Sequence, residues 1–161
     1  MTVKIHQLLL IWLMLTALSA CGFHLRGSTQ VAERYHQLSV QQDQLSEQQW
    51  RQLKSALNNA SVQVMDSATV PRLRVGFMRL KDRKLTSSSS ATVSLIQLGM
   101  QIKFSIMDAQ GNVLLEAQEL TQNRTLELDA ENVLSQQDSI RAQLLELEKD
   151  LIRAMLNRMQ N

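Results

Sequence analysis

The strongest constraint in the sequence is a central run in which apolar residues alternate strictly with mainly polar ones. Six apolar side chains occupy every second position from Ile96 to Ile106. Successive side chains of a β-strand point to opposite faces, so this spacing places all six on one face. The run therefore predicts a long strand with one buried face, which other apolar elements must cover.

Strand patterns flank this run on both sides. Residues 72–77 alternate between apolar residues and arginine or glycine, and the alternation then loses its phase, which predicts a bulge or bend near Gly76. Residues 108–112 predict a turn, in which Gly111 is available for a positive φ. Residues 113–127 then predict a return strand, which is more polar and nearer to an edge of the sheet.

Two amphipathic helices can cover the apolar face. Ser46 followed by Gln49 forms the pattern of a capping box, in which side chains satisfy the first free amides of a helix. Apolar residues at helical spacing follow, and they predict a helix of about 13 residues that ends near 58–59. A second stripe of apolar residues predicts a terminal helix over about 131–158.

Short strand patterns at 35–40 and 62–64 complete the series. The order strand, helix, strands, helix predicts an α+β fold, a two-layer sandwich of a roughly four-stranded mixed sheet with two helices packed on one face. We therefore expect one domain over 35–161, preceded by an N-terminal arm over 21–34, with no internal repeat.

The first twenty residues predict a secretory signal peptide rather than part of the fold. Lys4 is followed by a mostly apolar run over 8–15, which fades into small residues. A membrane-spanning helix is the alternative, but it needs roughly 20 apolar residues, and polar residues follow this shorter run. Cleavage before Cys21 would leave 141 of the 161 residues, a suitable length for a single domain.

The end of this segment, Leu18-Ser19-Ala20-Cys21, predicts the lipoprotein type of signal. A thiol is needed there because the thioether to diacylglycerol forms before cleavage. Cys21 is the only cysteine in the chain, so it cannot form an internal disulfide, and the alternative is an isolated free thiol. We expect covalent diacylglycerol and an N-acyl (palmitate-type) chain on Cys21 as a membrane anchor. The residue after the cysteine affects sorting, and an aspartate there favours the inner membrane. This chain has Gly22 at that position, which favours the outer membrane.

Charge and motif content exclude several classes of function. The formal charge of +2 falls to about +1 when Lys4 is removed with the signal, which gives no argument for binding nucleic acid. The three histidines have no metal-ligand partners at helical spacing, and there is neither a glycine-rich phosphate loop nor a nucleophile elbow. We therefore expect no enzyme, no metal site and no cofactor.

At Cys21-Gly22-Phe23-His24-Leu25-Arg26-Gly27 the chain resembles the LptE family of lipopolysaccharide-assembly lipoproteins, whose mature chains begin with a motif of this kind. The resemblance continues more loosely through the strand at 71–75 and the terminal helix with Asp150-Leu151-Ile152-Arg153. It implies a sandwich of two helices and a four-stranded sheet, in agreement with the order derived above.

The resemblance implies a protein that is not an enzyme. Members of this family sit in the lumen of LptD, a β-barrel of the outer membrane, aid its assembly, and act with it to place lipopolysaccharide in the outer leaflet. The implied location is therefore the outer membrane, lipid-anchored, facing the periplasm and inside the barrel. The alternatives are another outer-membrane assembly or scaffold lipoprotein, and a periplasmic lipid-binding lipoprotein with an apolar pocket inside its sandwich.

The family also binds lipopolysaccharide through basic residues, since clustered arginine and lysine suit the phosphates of lipid A. The expected candidates are at the end of the strand that leads into the serine-rich segment 87–90, namely Arg79, Lys81, Arg83 and Lys84. The alternative is a solvated basic strand end. Arg26 is expected to hold the arm rather than to bind lipid.

Overall fold

The computed structural model describes residues 31–86, 93–129 and 133–160. The predicted signal, Cys21 and the motif after it lie outside these ranges, as does the serine-rich segment. None of the helices described is both long and apolar enough to cross a membrane.

Within these ranges the chain forms one sheet, two α-helices and one short 3-10 helix. A short 3-10 helix at Glu33–Tyr35 precedes the first strand. The helices are α1 (Glu47–Asn59) and α2 (Val133–Arg158). The strands are β1 (Gln37–Gln42), β2 (Gln63–Val64), β3 (Arg72–Thr86), β4 (Val93–Met107) and β5 (Val113–Asp129).

The sheet is mixed and has the order β2-β1-β3-β4-β5. β1 runs parallel to both β2 and β3, whereas β3, β4 and β5 are antiparallel neighbours. The predicted α+β class is therefore confirmed. There are five strands rather than about four because the two-residue β2 pairs with β1 at one edge.

The core lies between the helices and one face of the sheet. The predicted alternation in β4 is confirmed, since its apolar residues from Ile96 to Ile106 are all buried. Leu73 and Val75 of β3 share this face, because they pair with Ile106 and Phe104. The helices contribute Leu53 and Leu57 of α1, and Leu147, Leu151, Ile152, Met155 and Leu156 of α2.

The segment before β1 packs into this core. Val31 is buried, and the N–H of Ala32 donates to the carbonyl of Met159 at 2.9 Å, so the segment before β1 is fastened to the end of α2. Tyr35 is also fully buried, and its hydroxyl donates to the carbonyl of Leu114 at 3.3 Å.

Gln49 connects the two helices through the predicted capping box, which is present in full. The Gln49 N–H donates to Ser46 Oγ at 3.2 Å, and Gln49 Oε1 accepts from the Ser46 N–H at 3.0 Å. Gln49 Nε2 in turn donates to Glu148 Oε1 of α2 at 2.8 Å. A residue in the first turn of α1 therefore also binds this helix to α2.

The bulge in β3 is not near Gly76, so that prediction was wrong. Gly76 pairs regularly with Lys103, and the register shifts lie between Leu80 and Arg83 and between Lys84 and Thr86. Gly76 is needed for a different reason: a Cβ there would lie 3.0 Å from the backbone oxygen of Asp43. The glycine makes room for the chain where it leaves β1.

The turn after β4 is as the sequence predicts. Gly111 has φ +89°, a conformation that favours glycine. Asp108 Oδ1 accepts from the N–H groups of Gln110 at 2.9 Å and Asn112 at 2.8 Å. A hydrogen bond from the Asn112 side chain lowers the pKa of Asp108.

Glu148 should make the stability of the protein depend on pH. Burial raises the pKa of Glu148, and the hydrogen bond from Gln49 only partly opposes this. The pKa of Glu148 in the folded protein lies above the ordinary 4.5. The stabilisation that comes from binding a proton at Glu148 is therefore fully present below pH 4.5. It is lost as the pH rises through the folded pKa. Glu148→Gln should therefore raise the free energy of unfolding at pH 7 and have little effect near pH 3, measured by urea denaturation.

Glu146→Gln on the same helix is the matched control. The Glu146 carboxylate is exposed, and its hydrogen bond with Lys149 lowers its pKa, so its contribution is present at neutral pH and lost in acid. This substitution should not stabilise the protein at pH 7. An unfolding free energy at pH 7 that is equal for Glu148→Gln and the unsubstituted chain would contradict the assignment.

Candidate functional site

The basic residues singled out above lie on a part of β3 that has a strand on only one side. β1 pairs with β3 only from Arg72 to Val75. From 76 to 86, β3 pairs with β4 alone, and its other edge is open within the part of the chain that the structure describes. We call residues 79–84 the basic end of β3.

Irregular pairing shapes this basic end. Leu80 pairs with Gly99, and Arg83 pairs with Gln97. Between these two pairs, β3 therefore has two residues where β4 has only one. The additional residue makes a β-bulge, and bulges bend and twist the strand that contains them. A bulge and several charges at a strand edge also discourage pairing with another strand.

The four candidate cations differ in their partners. Arg79 Nη2 donates to Asp82 Oδ2 at 2.7 Å, so part of its charge is neutralised locally. Lys81, Arg83 and Lys84 are exposed, and no ion pair is found for them among residues 31–86, 93–129 and 133–160. These three side chains are therefore available to an anionic ligand.

The bulge also divides the cations between the faces of the sheet. Arg79 pairs with Met100 and Lys84 with Ile96, both on the face that carries the core. Arg83 pairs with Gln97 on the opposite face. The structure thus brings the candidates to one strand end but does not place them on one face of the sheet. In a regular strand, residues two or four positions apart would share a face.

The face of the sheet opposite the helices carries a polar network, which we call the open face. Lys103 Nζ of β4 lies 2.9 Å from Glu119 Oε2 of β5. Gln101 Nε2 donates to Glu119 Oε1 and, at 3.2 Å, to Thr121 Oγ1. These contacts join β4 to β5 through side chains on the face opposite α1 and α2.

Two arginines of β3, Arg72 and Arg74, lie at the other end of the open face. Arg74 Nε donates to Asp43 Oδ2 at 2.6 Å, whereas Arg72 is exposed and has no ion pair among the residues described. Both line a small groove of about 160 Å³ beside Met107 and the turn. The sequence analysis used these two arginines only as polar positions in the alternation over 72–77, and so it did not single them out as a site.

A larger groove of about 580 Å³ lies between α1 and α2. Ala56 of α1 and Ala60 just after it line one side, Ile152 and Leu156 of α2 line the other, and three basic residues also line the groove. No residue of the sheet lines this groove, so it is not the internal pocket that a lipid carrier of the sandwich type would need.

Arg124 ties β5 to α2 on the core side of the sheet. Its guanidinium donates to Gln143 Oε1 at 2.9 Å and to Asp150 Oδ2 at 3.0 Å. Arg153 also reaches Asp150, at 3.2 Å. No group of three or more potential metal ligands is found in the part of the chain that the structure describes.

The fold defined here is that of a small α+β domain also found in bacterial lipoproteins. A "minor lipoprotein" from Acinetobacter baumannii is 21% identical, with a TM-score of 0.61 over 78% of this chain and 93% of that one. A lipoprotein B from Nitrosomonas europaea is 18% identical, with a TM-score of 0.65 over 86% and 90% of the two chains. Rare lipoprotein B from Shewanella oneidensis, also 18% identical, has a TM-score of 0.60 over 76% and 92%.

These likenesses concern the fold, and the sequence itself identifies the family. The family model LptE, described as lipopolysaccharide-assembly, matches residues 35–159. The chain therefore belongs to the LptE family, and the resemblance found at the N-terminus is confirmed over the folded domain. A search of curated proteins gave no significant match.

Proposed function

We propose that this chain is an outer-membrane lipoprotein that forms a complex with the β-barrel LptD, plugs it and aids its assembly. Together the two proteins would insert lipopolysaccharide into the outer leaflet. The observation that carries the proposal is the match of the LptE family over nearly the whole folded domain. In this role the chain acts by binding and positioning, not as an enzyme, and it needs no metal or cofactor.

The open face supports the role of a plug. Barrel lumens are polar, and a partner inside one needs a surface that can exchange its water for hydrogen bonds without exposing a large apolar patch. The open face offers such a surface through Lys103, Glu119 and Thr121. The open face also carries exposed apolar side chains, including Met78 and Met107, which would be covered in a complex.

The basic end of β3 supports a site for the lipid A phosphates. Lys81, Arg83 and Lys84 are exposed and within four residues on one strand, so all three lie within roughly 15 Å. Arginine can bind phosphate through two parallel hydrogen bonds, and lysine adds a point charge. Arg79 is the fourth candidate, and its pairing with Asp82 makes it the weakest.

Anchoring completes the proposal. Lipids on Cys21 would hold the chain at the outer membrane on its periplasmic side, close to the barrel. Acylation contributes about 0.8 kcal/mol per buried methylene, and one chain alone binds only marginally, so two or more acyl chains are needed for stable attachment.

The experiment that tests this function is a pull-down of the tagged lipoprotein from detergent-solubilised outer membranes, with mass spectrometry of the recovered proteins. We expect a barrel of the LptD type in equimolar amount. Recovery of a different barrel would replace the proposal by a general outer-membrane scaffold. Recovery of bound lipid without any barrel would favour a lipid-binding lipoprotein.

Removing the free cations of the basic end should weaken binding of lipopolysaccharide. The triple variant Lys81→Gln, Arg83→Gln, Lys84→Gln is expected to bind about tenfold more weakly, equivalent to roughly 1.4 kcal/mol, because charge-assisted contacts to phosphate are lost. Binding of labelled lipopolysaccharide to the purified chain measures this, and the effect should shrink at high salt.

The matched control removes the same number of charges elsewhere. Lys54, Arg141 and Arg158 are exposed residues on the helices, and their replacement by glutamine lowers the net charge equally. This variant should bind as the unsubstituted chain does. Equal weakening in both variants would mean that only net charge matters, and the basic end would then not be a site.

A further inference from the structure

Among the described residues, the sheet has two long edges without a neighbouring strand, and they differ in how they are protected. The edge of β3 at 76–86 carries a bulge and the basic residues described above, both of which discourage strand pairing. The other edge is that of β5, the last strand in the order. Among the described residues, no backbone hydrogen bond reaches this outer edge between 118 and 129.

Unlike the basic end of β3, the stretch 118–129 of β5 has no bulge, although it carries four charged residues, Glu119, Arg124, Glu127 and Asp129. It pairs with β4 in one continuous register, from Gln118 opposite Phe104 to Asp129 opposite Val93. It contains no proline and no lysine. Its one basic residue, Arg124, is held on the core side by Asp150 and Gln143. A long regular edge of this kind is a template for another strand.

The side chains of this stretch specify what kind of strand would fit. On the core side, Leu120, Leu126 and Leu128 are only half-buried and form the margin of the core. On the open face, Glu127 is exposed and has no ion pair within the described ranges, whereas Glu119 is paired with Lys103. A complementary strand would therefore carry apolar residues at alternate positions and a basic residue opposite Glu127.

A second copy of the chain fits this edge poorly. In one antiparallel register, residues 118–128 of one copy pair with residues 118–128 of another. Asn123 of one copy then lies opposite Asn123 of the other. That register places Glu119 of each copy opposite Glu127 of the other on the open face. Like charges directly opposite each other destabilise a strand pair. This register therefore disfavours pairing with a second copy.

We propose that the outer edge of β5 at 118–129 accepts an extended segment of a partner protein as a sixth strand of the sheet. Main-chain hydrogen bonds provide the attachment, and the apolar margin and Glu127 select the segment. The inference rests on the proposed function only for the identity of the partner, a β-barrel protein of the outer membrane.

Hydrogen exchange in the intact complex tests the proposal. The complex is purified from membranes, and exchange of the amides of 118–129 is compared with that in the isolated lipoprotein. The amides that point to the outer edge should exchange at least tenfold more slowly in the complex. Unchanged exchange in a complex that does contain the barrel would overturn this inference, whereas absence of any barrel would instead be a failure of the proposed function.

Thr125→Lys provides a second test, with Gln97→Lys as its control. The two residues are directly opposite each other in the register of β4 and β5, so the substitutions add the same charge to adjacent strands. Only Thr125 lies on the outer strand. We expect Thr125→Lys to lower the recovered partner at least tenfold and Gln97→Lys to leave it unchanged, with both chains folded by circular dichroism. Equal recovery with both would overturn the proposal, as would a dimer of the purified lipoprotein whose β5 amides are protected.

Discussion

Replacing Cys21 with serine is expected to abolish both palmitate incorporation and delivery of the chain to the outer membrane. A hydroxyl cannot form the thioether to diacylglycerol, so neither the lipid nor the cleavage that follows it is expected. The chain should then keep residues 1–20 and run as a larger species. Metabolic labelling with palmitate and fractionation of inner and outer membranes measure these effects.

Gly22→Asp is the matched control for this substitution. It leaves Cys21 in place, so labelling with palmitate and cleavage should continue. Only the sorting of the lipidated chain should change, towards the inner membrane. A Cys21→Ser chain that still takes up palmitate would contradict the assignment of the anchor.

The largest effect on stability is expected from Leu151→Ala in α2. Leu151 is completely buried between the helix and the sheet, in the same cluster as Leu98 and Ile102 of β4. Truncation removes apolar contacts and leaves a cavity, which costs about 2–5 kcal/mol in comparable cores. Since small domains have about 5–15 kcal/mol of stability, this is a large fraction. Urea unfolding followed by circular dichroism measures the loss.

Leu145→Ala makes the same chemical change on the same helix. Leu145 is only half-buried, so it loses less apolar contact, and we expect a cost of about 1 kcal/mol or less. Equal costs at the two positions would mean that α2 does not pack against the sheet along the face described here.

Local patterns in the sequence predicted the secondary structure well. The alternation from Ile96 to Ile106 lies within β4, and the capping box at Ser46 marks the start of α1. Gly111 has the positive φ that its turn requires. Each of these features depends on residues that are neighbours in the chain, so their spacing is sufficient to reveal them.

Contacts between distant segments explain where the sequence was insufficient. The loss of phase after Phe77 indicated a bulge, but its position was set by pairing with β4, beyond Leu80. The bulge or bend was expected near Gly76, whereas the small size of Gly76 serves the close approach of Asp43.

For the candidate sites too, some features were evident in the sequence and others only in the tertiary structure. The sequence by itself determined that basic residues cluster at 79–84 and that the chain resembles the LptE family, and it predicts a lipidation signal that ends at Cys21. Only the tertiary structure decided which cations are paired, that the bulge divides them between two faces, and that β5 has a long regular outer edge with no strand beside it among the described residues. The physical reason is that a strand's own residues fix its alternation of faces, whereas its neighbours and register are fixed by hydrogen bonds to strands far away in the chain.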